Sequence, residues 1–359
     1  MVSRSMIEEK MQLVSRRMMT LKNNGMKEVF PVSLIDIDCW EWPQGVGLFG
    51  LYKYCCLSGD EEIMQFLAKW FDRHIAEGIH EKNVNTTAPM LTLTYLYEKT
   101  GKASYGELIR EWADWIMKEK KLIRTGDDCF QHMITGDPND GEILIDTIFM
   151  TLLFLARAGK ILDRQDYVDE VNYQILNHIK YLYDKRSGLF YHGFNFNLNH
   201  NYGEVHWCRG NSWYTAGILE FLEEIPVDPA IRRYFLSVYR SQVNALKQYA
   251  DPETGLWHTI IDKPESYLEL SGSAGILYGI MQGVRTGILE RGEFQPLIDK
   301  AMTGLMDYID ADGTVLNVSY GTPIGDSAEF YEQIPCCPMT YGQALVILNL
   351  QEALMDFWH

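Results

Sequence analysis

The stretch DTIFMTLLFLARAG, residues 146–159, decides the fold of this chain. Wound into a helix it is apolar on nearly every side, so it belongs in an interior and not on a surface. One carboxylate, Asp146, stands at its head. Moving outward along the chain, five further segments share its character: 43–59, 85–101, 209–225, 271–287 and 339–354. They are rich in Gly, Ala and aromatic residues and almost uncharged in their bodies. Between them lie six amphipathic, charged segments, at 6–21, 61–78, 105–122, 166–184, 230–250 and 293–310. The two kinds alternate strictly, with a period of roughly 60 residues. A helix charged on one face can meet water, whereas a helix apolar all round must be covered. Six outer and six inner helices therefore predict an all-α fold, a closed (α/α)6 barrel forming a single domain over residues 1–359. An open solenoid would want polar terminal repeats, which the pattern does not display.

Composition narrows the partners. The 359 residues are 47% hydrophobic and 23% charged, with Asp+Glu 49 against Lys+Arg 32 and a net charge of −17. Such a chain repels nucleic acid and anionic membrane surfaces as a whole, so neither is expected as a partner. If the ligand is itself an acid, positive charge must be concentrated locally. No run approaches the ~18 apolar residues of a membrane span, and the opening MVSRSMIEEKMQLVSRRMMTLKNNG lacks a secretory apolar core. Seven cysteines, four of them in the adjacent pairs Cys55-Cys56 and Cys336-Cys337, fit reduced thiols in a cytoplasmic protein better than a disulfide framework. With no Cys-x-x-Cys and no His-Glu-x-x-His, spacing offers no metal site.

The loops that lead into the inner helices hold the chain's unusual residues. In a barrel they share one mouth, and rigid scaffolds present functional groups on such loops. They are dense in Trp, Tyr, His, Asn and Asp, which suits a sugar cleft: ring faces stack on pyranose faces and polar tips orient hydroxyls. The competing reading is that these aromatics merely plug the barrel end. Asp146 itself is first an N-cap residue. At a barrel mouth it is also a partly desolvated carboxylate, raised in pKa by burial and lowered by the helix dipole, and able to pass protons both ways. HWCRGNSW sets His206, Trp207, Arg209, Asn211 and Trp213 at a helix start, where Arg209 offers a planar fork for a carboxylate. His132, in DDCFQHM, and His192, in YHGF, are lone histidines that more often serve structure. Asp36 and Asp38, with Trp40 and Trp42, suit either ligand contacts or a turn, and Asn85, Thr86 and Thr87 suit a helix cap.

Taken together, NVNTTAP (83–89), ILIDTIFM (143–150), SGLFYHG (187–193), WCRGNSW (207–213), ELSGSAG (269–275) and GTVLNVSYGTP (313–323) resemble the unsaturated rhamnogalacturonyl hydrolases of glycoside hydrolase family 105. The matches run in order from about Trp40 to Tyr341. The resemblance implies an (α/α)6 barrel with no cofactor and no metal. It also implies a small unsaturated oligosaccharide as substrate, carrying the Δ4,5-unsaturated galacturonyl end left by pectin lyases. Such enzymes hydrate the vinyl-ether double bond, protonating C4 and adding water at C5, so one aspartate suffices where ordinary glycoside hydrolysis needs two carboxylates. By motif that aspartate is Asp146. Arg209 and Trp213 match the substrate-binding Arg and Trp, with Trp207 beside them and His192 in the Tyr-His-Gly. Trp40, Trp42, His132 and Asn211 complete the expected binding set. Cys208 and Ser212 stand where glycines are frequent, and Phe194-Asn195 where Trp-Asp is common, which bears on the neighbouring sugar more than on the reaction.

Several alternatives compete with this reading. An unsaturated glucuronyl hydrolase would keep the chemistry, but its usual second aspartate is missing from NVNTTAP. A zinc-dependent cyclase would need a histidine in register with Cys336-Cys337. A sugar epimerase would use two histidines across the barrel, such as His192 and His258. A non-catalytic sugar-binding barrel would need no proton-transfer group at all. The pattern specifies no oligomer.

Overall fold

The computed structural model describes residues 2–22, 35–79, 81–118 and 122–357. The tail of the third outer segment, residues 119–121, lies outside the described residues, as do His80 and residues 23–25 of the opening stretch. Helices α1 (Arg4–Met19), α2 (Trp42–Ser58), α3 (Glu61–Glu77), α4 (Val84–Thr100) and α5 (Ala103–Met117) open the barrel. They are followed by α6 (Leu153–Leu162), α7 (Gln165–Leu182), α8 (Cys208–Glu224), α9 (Pro229–Tyr249), α10 (Leu270–Arg285) and α11 (Arg291–Asp307), then α12 (Ala328–Glu332) and α13 (Thr340–Glu352). Inner helices α2, α4, α6, α8, α10 and α13 pack each against the next, and α13 returns to α2, so the ring closes. Outer helices α1, α3, α5, α7, α9 and α11 lie against it. The solenoid alternative is thereby set aside.

Turn chemistry marks the element ends. Asp60 accepts the Glu62 and Ile63 amides at the head of α3, and Gly59 and Gly101 close α2 and α4 in the left-handed conformation that favours glycine. Inner helices approach closely where small residues face each other. A Cβ on Gly272 would stand 2.5 Å from Cys208 Sγ, and one on Gly275 would stand 2.9 Å from Ser212 Cβ. The two side chains that replace frequent glycines on α8 are thus housed by glycines of α10. Among the described residues, no helix is long and apolar enough to cross a membrane.

Among the features outside the six-by-six pattern, three bear on the mouth. A two-stranded antiparallel ribbon joins β1 (Glu142–Leu144) to β2 (Gly193–Asn195), in the register Glu142↔Asn195 and Leu144↔Gly193. The third inner helix begins with a wider, π-type turn over Ile148–Leu152 before α6, a distortion common at functional sites. The five-residue α12 sits in what the sequence presents as a plain loop.

Candidate active site

The ribbon brings together two residues 46 positions apart in sequence. Strand β1 ends two residues before Asp146, β2 begins one residue after His192, and the Ile145 amide donates to the His192 carbonyl at 3.0 Å. Side by side, His192 Nε2 stands 3.3 Å from Asp146 Oδ2. The alignment is not that of a hydrogen bond, and both atoms are buried without another partner. Buried polar atoms are almost always paired, so two such atoms left facing each other beside the cavity are an exception that calls for a reason. Asp146 Oδ1 is committed: it accepts the Trp213 indole N–H at 3.0 Å. Contrary to the cap reading, no helix amide donates to the Asp146 carboxylate. Its backbone carbonyl begins the helix instead, accepting the amides of Phe149 and Met150.

Beneath Asp146, His132 is buried and its Nδ1 lies 2.9 Å from Thr147 Oγ1. Burial lowers its pKa to about 4, against the pull of Asp146, so it is a neutral imidazole at neutral pH. For Asp146 itself burial pushes the pKa up. The His192 contact, aided by His132 and Arg209, outweighs that and holds it below the usual carboxylate value. The rise expected from desolvation alone is therefore reversed, with His192 rather than the helix dipole as the main opposing partner.

These groups line or border a cavity of about 450 Å³, enough for two sugar rings. Trp42, Asn85, His132 and Asp146 line it, together with residues 134–137, Asn139, Glu142 and Leu144 of β1 and the lip at 321–324. Trp42 is held rigidly, stacked on Tyr341 at 4.6 Å and edge-on to Trp213 at 6.3 Å.

Of the expected binding residues, Trp40, His192, Trp207, Arg209, Asn211 and Trp213 do not line the cavity. Arg209 is fully buried and both its Nη groups are engaged: Nη1 donates to the Ser319 carbonyl at 2.9 Å, and Nη2 to the Tyr320 carbonyl at 3.1 Å and Thr322 Oγ1 at 2.9 Å, while Nε has no partner among the described residues. Sandwiched between the rings of Trp207 and Tyr341, with Glu269 at 3.8 Å, it holds up the cavity lip from behind and does not line the cavity. Asn211 is also fully buried. It exchanges hydrogen bonds with both backbone groups of Phe190, at 2.8 and 2.9 Å, and so ties the strand carrying His192 to α8. Trp40 stacks on Trp70 at 5.2 Å and donates to the Thr86 carbonyl, behind the cavity wall. Trp207 packs against the His192 ring at 4.3 Å and supports it without reaching the cavity. Asp36 and Asp38 pair with Lys22, and Asp38 also with Arg73, as surface ions. The cap of α4 is Asn83, which leaves Asn85 free to line the cavity. His258 hydrogen-bonds the Ser266 carbonyl, 3.7 Å from Asp251, and does not line the cavity as an epimerase partner of His192 would.

Other residues here escaped the sequence reading: the lip residue Thr322, the wall residues Asp137 and Glu142, Tyr331 of α12, and Glu41. Glu41 caps α2 by accepting the Trp42 amide at 2.7 Å and takes the Thr135 hydroxyl at 3.1 Å. Burial raises its pKa to about 7, although both bonds oppose the rise. A carboxyl whose folded pKa lies above its unfolded 4.5 loses stabilisation as pH climbs from 4.5 through 7. Glu41→Gln should therefore gain on wild type across that window by up to about 3 kcal/mol. Guanidinium unfolding of both proteins at pH 5 and pH 8 reads the change; a difference independent of pH contradicts it.

A closed α/α barrel with a buried carboxylate beside a sugar-sized, aromatic-walled cavity is compatible with a glycoside hydrolase. The sequence model of Glycosyl Hydrolase Family 88 matches residues 11–357, and the chain belongs to that family. It is 30% identical over 318 residues to the unsaturated rhamnogalacturonyl hydrolase YesR of Bacillus subtilis (strain 168), covering 88% of this chain and 90% of that protein. A crystal structure from Salmonella enterica serovar Paratyphi A, described as a possible member of the GH105 family, superposes with a TM-score of 0.94 at 38% identity. That match covers 100% of this chain and 96% of the other. The unsaturated glucuronyl hydrolase of Bacillus sp. GL1 shares the fold at 17% identity, with a TM-score of 0.72 over 98% of this chain and 96% of that one.

Proposed function

We propose that this protein is an unsaturated rhamnogalacturonyl hydrolase, working as one catalytic domain, with Asp146 as the general acid/base of a hydration reaction. The observation that carries the reading is the unpaired Asp146 Oδ2, facing His192 Nε2 at 3.3 Å beside the cavity. Docking a uronate adds negative charge next to Asp146, which raises its pKa and loads it with a proton. That proton goes to C4 of the enol ether. Water held between Asp146 and His192 then adds to C5, and Asp146 takes back a proton from it. The hemiketal opens, the ring oxygen leaves with C1 as a hemiacetal, and that hemiacetal expels the neighbouring sugar with its own oxygen. One water is consumed and Asp146 returns to its starting state.

Specificity then belongs to the second sugar. Unsaturation removes the stereocentre at C4, so galacturonyl and glucuronyl ends give the same unsaturated residue. Among the described residues the cavity is lined by the carboxylates Asp137, Glu142 and Asp146, and by no Lys or Arg. A sulfated or acidic second sugar meets like charge there, whereas rhamnose does not. The test compares unsaturated uronyl disaccharides ending in rhamnose, in sulfated rhamnose and in a sulfated amino sugar. Rhamnose should be preferred by at least about tenfold in kcat/KM, a difference of about 1.4 kcal/mol. Equal or better turnover of the sulfated substrates would favour the glycosaminoglycan alternative. None of the seven cysteines is in a disulfide, which supports a cytoplasmic location.

A further inference from the structure

We propose that Tyr331, delivered by α12, is a positioning residue that fixes His192 as its Nε2–H tautomer and thereby sets an N–H, not a lone pair, beside Asp146 Oδ2. The proposal rests on the hydration reading for its catalytic consequence, but its structural content stands apart from it.

Tyr331 is 1% exposed, and its hydroxyl has two neighbours. The Gly325 amide donates to it at 3.1 Å, and His192 Nδ1 lies 2.8 Å away. An amide cannot accept, so the phenolic proton has to go to Nδ1 if this buried hydroxyl is to be satisfied. Burial keeps the phenol well above its ordinary pKa, so the proton stays available for donation. Nδ1 is then the acceptor nitrogen of a neutral ring and Nε2 carries the hydrogen. The opposite tautomer would strand the phenolic proton and point a lone pair at the Asp146 carboxylate, two penalties at once.

The rest of α12 is built to hold this one side chain. Tyr331 packs with Val205, Trp207 and Ile260 in a small apolar cluster separate from the main core. Lys263 anchors the helix through Glu332 at 2.9 Å, and Ser327 caps it on the Phe330 amide. Gly325 directly follows Ile324 of the cavity lip, so one hydroxyl ties both the lip and the histidine. A helix too short for stability of its own, outside the barrel's repeat, is explained by this delivery.

Tyr331→Phe keeps the ring and removes only the donor. With it kcat should fall roughly 10- to 100-fold while KM stays within about threefold. The direct readout is 15N–1H correlation of histidine-labelled full-length protein without substrate, with His192 assigned by its loss in His192→Gln. Wild type should show the Nε2–H pattern, and Tyr331→Phe a mixture of tautomers. An Nδ1–H pattern in wild type, or an unchanged pattern and kcat in Tyr331→Phe, would overturn the proposal. Because the spectrum needs no substrate, it decides this inference even if no unsaturated uronide is turned over.

Discussion

Asp146→Asn will lower kcat by at least about 10³-fold while leaving substrate affinity within about tenfold of wild type. Asparagine is isosteric, and its amide oxygen can still accept the Trp213 indole N–H that holds Oδ1 at 3.0 Å. In the proposed reaction the change removes the oxygen that gives a proton to C4 and then takes one from water. A single general acid or base step is worth about 10²–10⁴-fold, and here one group serves both steps. Trp42, Asn85 and the lip, which line the cavity, are left alone by this substitution. Stopped-flow and single-turnover kinetics on the unsaturated disaccharide, with calorimetric binding, separate the two quantities. A variant retaining a tenth or more of wild-type kcat removes Asp146 from the chemistry and leaves the barrel as a binding protein or a different catalyst.

The second large effect is structural. Arg209→Met should destabilise the protein by about 3–5 kcal/mol, because it leaves the buried Glu269 carboxylate without its cation and the lip without its support. Glu269 is itself committed, capping α10 through the Ser271 and Gly272 amides and accepting the Ser319 amide at 3.0 Å. Both ends of the pair hold the same segment, so loss of one loosens Ser319 to Thr322 at the cavity. Chemical unfolding measures the stability, and protease sensitivity near residues 319–322 reports the lip. The motif resemblance alone leads to another expectation, a steep rise in KM from loss of a carboxylate clamp. A stable Arg209→Met with KM raised a hundredfold would restore the clamp and overturn the supporting role.

The contrast between these two residues shows where sequence reasoning reached and where it stopped. Periodicity and composition made the barrel legible, since segments such as 146–159 and 271–287 have nowhere to be except inside a ring of charged helices. Asp146 was legible as a charge at the head of such a segment. The division of labour in HWCRGNSW was not. Five residues there look equally able to face a ligand, and only the fold shows that Trp213 reaches Asp146, Arg209 reaches the lip, Asn211 reaches Phe190, Trp207 reaches His192 and His206 reaches Asp262. The β1–β2 ribbon was invisible for a physical reason: three-residue strands carry too little alternation to be seen, and their register is a tertiary fact. Tyr331 was hidden in the same way, as one aromatic among many in a loop whose five-residue helix no periodicity can announce. Glu41 gives no signal in the sequence because its burial against Trp42 and Thr135 is a tertiary fact.

One measurement bears most directly on the central claim that Asp146 serves hydration of the double bond and not displacement at the anomeric carbon. It uses an analogue of the unsaturated uronyl–rhamnose disaccharide whose glycosidic oxygen is replaced by a methylene group, so that no bond to the second sugar can be hydrolysed. Hydration does not need that bond. The protein should consume the enol-ether absorbance of the analogue at a rate comparable to that of the natural disaccharide, releasing no sugar, and Asp146→Asn should not. If the analogue binds and its absorbance persists while the natural disaccharide is cleaved, the chemistry is ordinary glycoside hydrolysis and the role given to Asp146 is wrong.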